Sequence, residues 1–382
     1  MLARYLILGA GGAGLSLCHA LLARGVTEPI VILDPKPRFD DDRTWCFWDT
    51  RPNPFLPLSS HGWHEWEVRD ASGRRAVQTS RKTAYRCLRG RDFYETVLSQ
   101  IRLHPNVTLC LGQAADSVTQ DAEGVTIRAG ECVYHADYVF DSRPPRFAPA
   151  PGDFMQRFRG RFVRADRPVF TPSRCMLMDF EVDQTSGPHF VYVLPFTETH
   201  ALIEDTYLLP ADAPAPTADD TADTLQAYLA KRYPGAALIT EREEAGAIPM
   251  TSRPFPKRDG RVLNIGTAGG CTKPSSGYTF TRIQEQCREI ADAAAAGTLD
   301  TFQEQGPPPR FQFFDAVFLQ ALRDNPAAFP GYFYRLFARV SPEALTRFLS
   351  ETSSWRDEFQ VVRGLPALPF LQAARRRLFP PG

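Results

Sequence analysis

The sequence predicts an α/β fold: a Rossmann-type dinucleotide-binding domain, split by an inserted antiparallel sheet and followed by a helical C-terminal part. Three observations carry this expectation. An apolar run at 4–8 leads directly into Gly9, Gly11 and Gly14, then a helical stretch, then a second apolar run closing on Asp34. Between 150 and 255 the pattern changes to period-two alternation, the mark of half-buried strands. At 262–296 a strand, a glycine loop and a helix recur, which returns the chain to the first domain. The expected boundaries are 1–149 and 256–300 for the two parts of the nucleotide domain, 150–255 for the sheet domain, and 301–382 for the helical end.

The first glycines read G-x-G-x-x-G. Gly9 permits a tight turn after the strand, Gly11 lets the backbone approach a pyrophosphate, and Gly14 lets the helix pack closely on the strand. The helix N-terminus then faces the anion. Asp34, 20 residues past Gly14, is placed to hold a ribose hydroxyl. Residues 35–49, rich in proline and aspartate, read as a loop near the nucleotide, where Arg43 offers a bidentate guanidinium and Trp45 a stacking surface. Asp92 is the expected N-cap of a helix over 93–98. Short strands follow at 107–111, 116–119, 124–129 and 132–134. A further strand ends in Asp141, which would border the site beyond the carboxyl end of the sheet.

In the second block, alternation puts Met176, Met178, Phe180 and Val182 on one face of a strand. Strands at 189–196 and 201–208 flank a hairpin loop at 197–200. Along the second of these, Leu202, Glu204 and Thr206 share one face, and Ile203, Asp205 and Tyr207 share the other. A Pro/Ala/Asp linker at 210–223 precedes a helix over 223–231. The later glycine loop holds Gly266, Thr267 and Gly277 and feeds a helix, so it offers a second cradle for an anion or a flavin edge.

Composition narrows the function. A chain of 382 residues can bury a large core. Lys plus Arg equals Asp plus Glu at 44 each, so bulk charge argues against a nucleic-acid partner. Eight cysteines form no C-x-x-C, which predicts reduced thiols and a cytoplasmic protein. No secretory signal is expected, because the N-terminus enters the first strand directly. His61 and His64 lack a third ligand, so no metal site is expected. No run of 18 apolar residues occurs. Eleven of the 27 Phe fall from residue 311 onward, and residues 365–379 set Leu and Phe anchors beside Arg375, Arg376 and Arg377. That combination predicts peripheral attachment to a membrane surface.

Three stretches together resemble the lycopene cyclase family, the flavoproteins that close rings on carotenoids. They are Asp42-Arg43-Thr44-Trp45-Cys46-Phe47-Trp48, Leu202-Ile203-Glu204-Asp205-Thr206, and Ile265-Gly266-Thr267-Ala268-Gly269-Gly270 through Lys273-Pro274-Ser275-Ser276-Gly277-Tyr278. The glycine fingerprint and Phe314-Asp315-Ala316-Val317-Phe318-Leu319 lie in matching order. Gly266-Thr267 stands where most flavoproteins of this fold have Gly-Asp, which agrees with the cyclases. The resemblance implies a glutathione-reductase-like flavoprotein that binds FAD, acts with the flavin reduced, and draws on NAD(P)H only to keep it so. It implies lycopene and other acyclic carotenoids as substrates, with β-rings formed through γ-carotene to β-carotene. It also implies a catalytic carboxylate at Glu204; Asp205 joins it in the expected catalytic pair of acids, in support of structure or cofactor, because strand alternation turns it to the opposite face.

The chemistry sets its own demand. Cyclisation begins when a proton added at C2 leaves a tertiary cation at C1. The C5=C6 double bond attacks that cation, and loss of the C6 proton gives a β-ring. An alkene is a very poor base, so the acid must be strong and the pocket dry. A carboxyl raised by apolar surroundings meets that need, and Glu204 is the expected group; reduced flavin is the alternative donor, and otherwise its charge would stabilise the cation. Two rival readings share the fold: a flavin monooxygenase or isoprenoid double-bond reductase, and a non-catalytic flavin or carotenoid binder.

Overall fold

The computed structural model describes residues 1–144 and 148–379. The strand Leu2–Leu8 lies inside an eight-stranded sheet, paired in parallel with Ile30–Asp34 on one side and Cys132–Asp141 on the other. Val107–Leu111 and Val262–Asn264 extend the parallel order outward. Ile30–Asp34 is buried at every position, as a parallel strand covered on both faces requires. Helix Gly12–Ala23 packs on helix Phe280–Ala295. Gly14 makes the approach of helix to turn possible, because a Cβ there would collide with the Gly9 carbonyl oxygen.

The second sheet has seven strands, in the order Leu238–Met250, Phe154–Ala165, His200–Pro210, His189–Pro195, Arg174–Asp179, Glu65–Arg69 and Arg75–Thr79. The last two come from within 1–149, so the sheet crosses the boundary expected at 149. Glu65–Arg69 pairs in parallel with Arg174–Asp179 and buries Trp66 and Val68 completely. A short alternating run does not record which sheet it will join.

Several local expectations change. Residues 44–48 form a strand rather than a loop: Thr44–Trp48 pairs with Tyr85–Arg89, as its β-branched and aromatic residues favour. That pairing keeps Arg89 extended, so the helix begins at Gly90 and Asp92 sits in its first turn instead of capping it. The expected strand at 132–134 and the further strand ending in Asp141 are one continuous strand, Cys132–Asp141. A register shift at 176–179 breaks the predicted methionine face. Leu177 and Met178 reach the cavity described below, while Met176 packs in a separate cluster with Val191 and Val193.

Five helices, Pro309–Asp324, Phe329–Arg339, Pro342–Leu349, Trp355–Gly364 and Ala367–Leu378, share a core with the second sheet. Of the eleven late phenylalanines, seven line a cavity, Phe311 and Phe329 are fully buried, and only Phe359 and Phe379 are strongly exposed. The aromatic excess therefore serves mostly an internal wall. Among the described residues no helix is long and apolar enough to cross a membrane.

Candidate active site

The carboxyl ends of the parallel strands open onto a cavity of about 1140 Å³. It runs from the first glycine turn, past the second sheet, to the C-terminal helices. At the near end it is lined by Gly9, Gly11, Asp34 and Arg43. A Cβ on Gly11 would meet nothing within 4 Å, so the backbone there borders open space. The adjoining helix has no side-chain cap, which leaves its first N–H groups aimed at whatever occupies that space. Asp34 accepts from the Ala10 N–H at 2.6 Å and the Lys36 N–H at 2.8 Å, tying the turn to the end of the second strand while facing the cavity. Arg43 donates through Nη1 to the Asp42 carbonyl at 3.0 Å. A bare turn, a helix N-terminus and a strand-end carboxylate fit the pyrophosphate and ribose of a dinucleotide such as FAD. Thr267 and Gly277 line the wall made by the later glycine loop. Gly277 has φ +73°, and a Cβ there would lie 2.7 Å from Gln156 Oε1, so this loop abuts the second sheet.

Of the residues expected at the cofactor site, Gly14, Gly266 and Asp141 do not line the cavity, Gly14 having been expected there for helix packing. Gly14 and Gly266 serve packing, the latter against Ala13. Asp141 is still inside the sheet, in register with Leu8, and its carboxylate accepts from Arg143 Nη2 at 2.6 Å. Ser142 and Arg143, just past the strand end, line the cavity in its place.

Glu204 lies further along. It is in register with Gly160 on one neighbouring strand and Tyr192 on the other. Its side chain enters a wall with Met178, Phe190, Leu202 and Leu208. Thr206 Oγ1 donates to Glu204 Oε1 at 3.0 Å. Glu204 is only half-buried by exposure, but the space it is exposed to is this cavity. Burial pushes its carboxyl up to about 8, and the nearby Glu244 adds to the shift. A group so placed is predominantly protonated at neutral pH. Asp205 is absent from the cavity wall. It is fully buried on the reverse face, where His189 Nε2 contacts its carboxylate. Successive strand residues face opposite ways, so the acid beside Glu204 cannot share its site.

Two groups of site residues were given no role by the sequence, although Lys273, Ser275, Tyr278 and Asp315 lie in the stretches that carry the family resemblance. Tyr85, Tyr192 and Tyr278 meet in the cavity wall, with Tyr192 Oη donating to Tyr85 Oη at 2.9 Å and Tyr278 Oη lying 3.4 Å from it. They come from three distant segments, and their ring faces suit a cation. The second group is a buried ion cluster. Lys273 Nζ donates to Asp315 Oδ1 at 2.5 Å and lies 3.5 Å from Glu351 Oε1. Ser275 Oγ donates to Asp315 Oδ1 at 2.5 Å, and Arg282 pairs with Glu351. This cluster fastens the later glycine loop to the C-terminal helices. His61 faces the Pro172 carbonyl and His64 the Ser80 carbonyl. Among the described residues no cluster of His, Cys, Asp and Glu could hold a metal ion.

Comparison with known proteins agrees with this geometry. The family model described as lycopene cyclase protein matches residues 5–375. The chain is 27% identical over 401 residues to a lycopene beta-cyclase of a Paracoccus species, covering 97% of this chain and 96% of that one. It is 25% identical over 394 residues to the lycopene beta-cyclase of Pantoea ananas, covering 96% of each. Among solved structures it resembles a flavoprotein/dehydrogenase from Cytophaga hutchinsonii (TM-score 0.63, 13% identity, 99% of each chain). It also resembles the flavin-dependent brominase Bmp2 (TM-score 0.62, 15% identity, 99% of each chain). The fold is that of FAD-dependent flavoproteins.

Proposed function

The chain belongs to the lycopene cyclase family, and from that premise we propose that it is a lycopene β-cyclase acting through Glu204. The observation that supports this most is the state of the Glu204 carboxyl: raised to about 8 inside an apolar cavity that also meets the flavin cradle. Glu204 donates its proton to C2 of an acyclic ψ-end. Phe190, Leu202 and Leu208 exclude water that would otherwise capture the cation. The rings of Tyr85, Tyr192 and Tyr278 face the developing positive charge. Gly9, Gly11, Asp34, Arg43 and Thr267 hold FAD, with Gly14 and Gly266 acting through packing. FAD held there in reduced form, kept so by NAD(P)H, would supply negative charge that stabilises the cation without net electron transfer. Loss of the C6 proton completes the β-ring, and a second turn on the other end gives β-carotene.

The test uses lycopene in liposomes, the purified protein, chemically reduced FAD, and neither oxygen nor nicotinamide. The expected product has unchanged mass and a shortened chromophore. A gain of hydrogen, or a product formed only with oxygen and carrying it, overturns the cyclase reading.

We further propose that the substrate enters from a lipid surface. Val362 is 58% and Leu371 66% exposed, yet both also line the cavity. Trp355, 72% exposed, and Phe359 extend the apolar surface, with Arg356 and Arg363 beside their rings. A patch continuous with the cavity gives a carotenoid a path that avoids water. Changing Trp355 and Phe359 together to Ser is expected to weaken binding to anionic vesicles by about tenfold or more, read by co-sedimentation. Unchanged binding would remove this face as the docking surface.

A further inference from the structure

Gly160 sits between two glutamates. On one side it pairs with Glu204, and on the other with Glu244 of strand Leu238–Met250. Residues directly opposite one another in antiparallel strands project to the same face, and both glutamates line the cavity. The glycine has no side chain, and Leu202 Cδ1 closes over it, 2.9 Å from where a Cβ would be. A Cβ at position 160 would lie 3.2 Å from Glu244 Cγ and 3.6 Å from Glu204 Oε2. Glu244 is 8% exposed. It accepts from Thr44 Oγ1 at 2.9 Å, and Arg242 Nη2 stands 3.5 Å from the same oxygen. The other titratable or charged groups around this pair are Asp41 and Arg43 from the segment before Thr44 and Cys46 just after it, with Asp205 behind the strand of Glu204 on its reverse face.

Resting on the cyclase reading above, we infer that Glu204 and Glu244 work as a proton-sharing pair, in which Glu204 gives a proton to C2 and Glu244 takes the proton lost from C6. The balance closes without any co-reactant. Protonated Glu204 and ionised Glu244 become ionised Glu204 and protonated Glu244 as the C2–H bond forms and the C6–H bond breaks. Return of that proton from Glu244 to Glu204, both of which line the cavity, restores the starting state. Two close carboxyls in one apolar site cannot both ionise freely, so one proton stays on the pair at neutral pH. Burial raises the Glu244 carboxyl, while Arg242 and Thr44 favour its charged form. Of the two carboxyls, Glu244 is the one with a guanidinium beside it, Arg242, so the pair's negative charge is assigned to Glu244 and its proton to Glu204.

Glu244→Gln tests this in the full chain with reduced FAD and lycopene liposomes. The expected result is a fall in kcat of about 10²-fold, with the KM for lycopene and the affinity for FAD unchanged. Glu244→Asp should recover part of the rate. Removing the neighbouring negative charge also lowers the pKa of Glu204, so the alkaline limb of kcat moves to lower pH. An infrared titration of the carboxyl band reads the same shift without turnover: the protonated carboxyl present at neutral pH is lost in Glu204→Gln and titrates at lower pH in Glu244→Gln. If Glu244→Gln keeps the rate and the alkaline limb of the wild type, the pair is overturned. If the wild type yields no cyclised product, the cyclase reading fails, whatever the infrared titration shows.

Discussion

Glu204→Gln is expected to lower lycopene turnover by about 10³-fold while leaving FAD binding, followed by flavin fluorescence, unchanged. Gln keeps the shape and can still accept from Thr206, but it has no proton to give. Turnover of the wild type should fall as pH rises past about 8, where the Glu204 carboxyl ionises. The same shift makes a stability prediction of definite sign. The folded pKa is raised above the ordinary carboxylate value, so the native state binds the proton more tightly than the unfolded chain does. The resulting stabilisation is complete below the unfolded pKa and is lost as pH rises through about 8. Glu204→Gln carries no buried charge at any pH. Its thermal midpoint should therefore equal or exceed that of the wild type at alkaline pH, even as activity disappears. A variant with near wild-type turnover would remove Glu204 as the acid.

Lys273→Met should destabilise the protein by about 3–5 kcal/mol, because it leaves buried carboxylates without their cation. Lys273 and Asp315 are each 2% exposed, so water cannot replace the lost ammonium. Arg282 still pairs with Glu351, so the loss concentrates on Asp315. Changing Asp315 to Leu in the same chain should recover part of the stability, as a double-mutant cycle in denaturant would measure. Burial pushes Glu351 up, but Arg282 and Lys273 outweigh it and hold its pKa low. Its contribution is present at neutral pH and is lost as pH falls through the lowered value. Equal stabilities for wild type and Lys273→Met would mean that the cluster contributes orientation alone.

The two kinds of site residue differ in how legible they were. Gly9, Gly11 and Asp34 belong to one continuous unit whose spacing is set by a turn, a helix and a strand, so position along the chain implies position in space. Glu204 and Asp205 were separated by strand period alone, and the structure puts them on opposite faces as the period requires. The strand ends at Asp141 as its sequence suggests, but the acid is still paired there, and Ser142 and Arg143 line the cavity beyond it. The strands Glu65–Arg69 and Arg75–Thr79 drew no expectation from the sequence, and they join the second sheet across the boundary at 149, because alternation carries no record of the partner strand.

By itself, then, the sequence determined what local backbone chemistry controls: the glycine turn and its strand-end acid, the alternation that turns Glu204 inward, and the helical, phenylalanine-rich end. Only the tertiary structure decided which distant groups meet. It brought Tyr85, Tyr192 and Tyr278 together, closed Lys273 onto Asp315 and Glu351, and set Glu244 across Gly160 from Glu204. It also turned most of the late phenylalanines inward to line the cavity instead of outward toward lipid. The physical reason is the same in each case. Secondary structure depends on neighbours within a few residues, whereas the raised carboxyl depends on burial and charge contributed by strands about 40 residues apart along the chain.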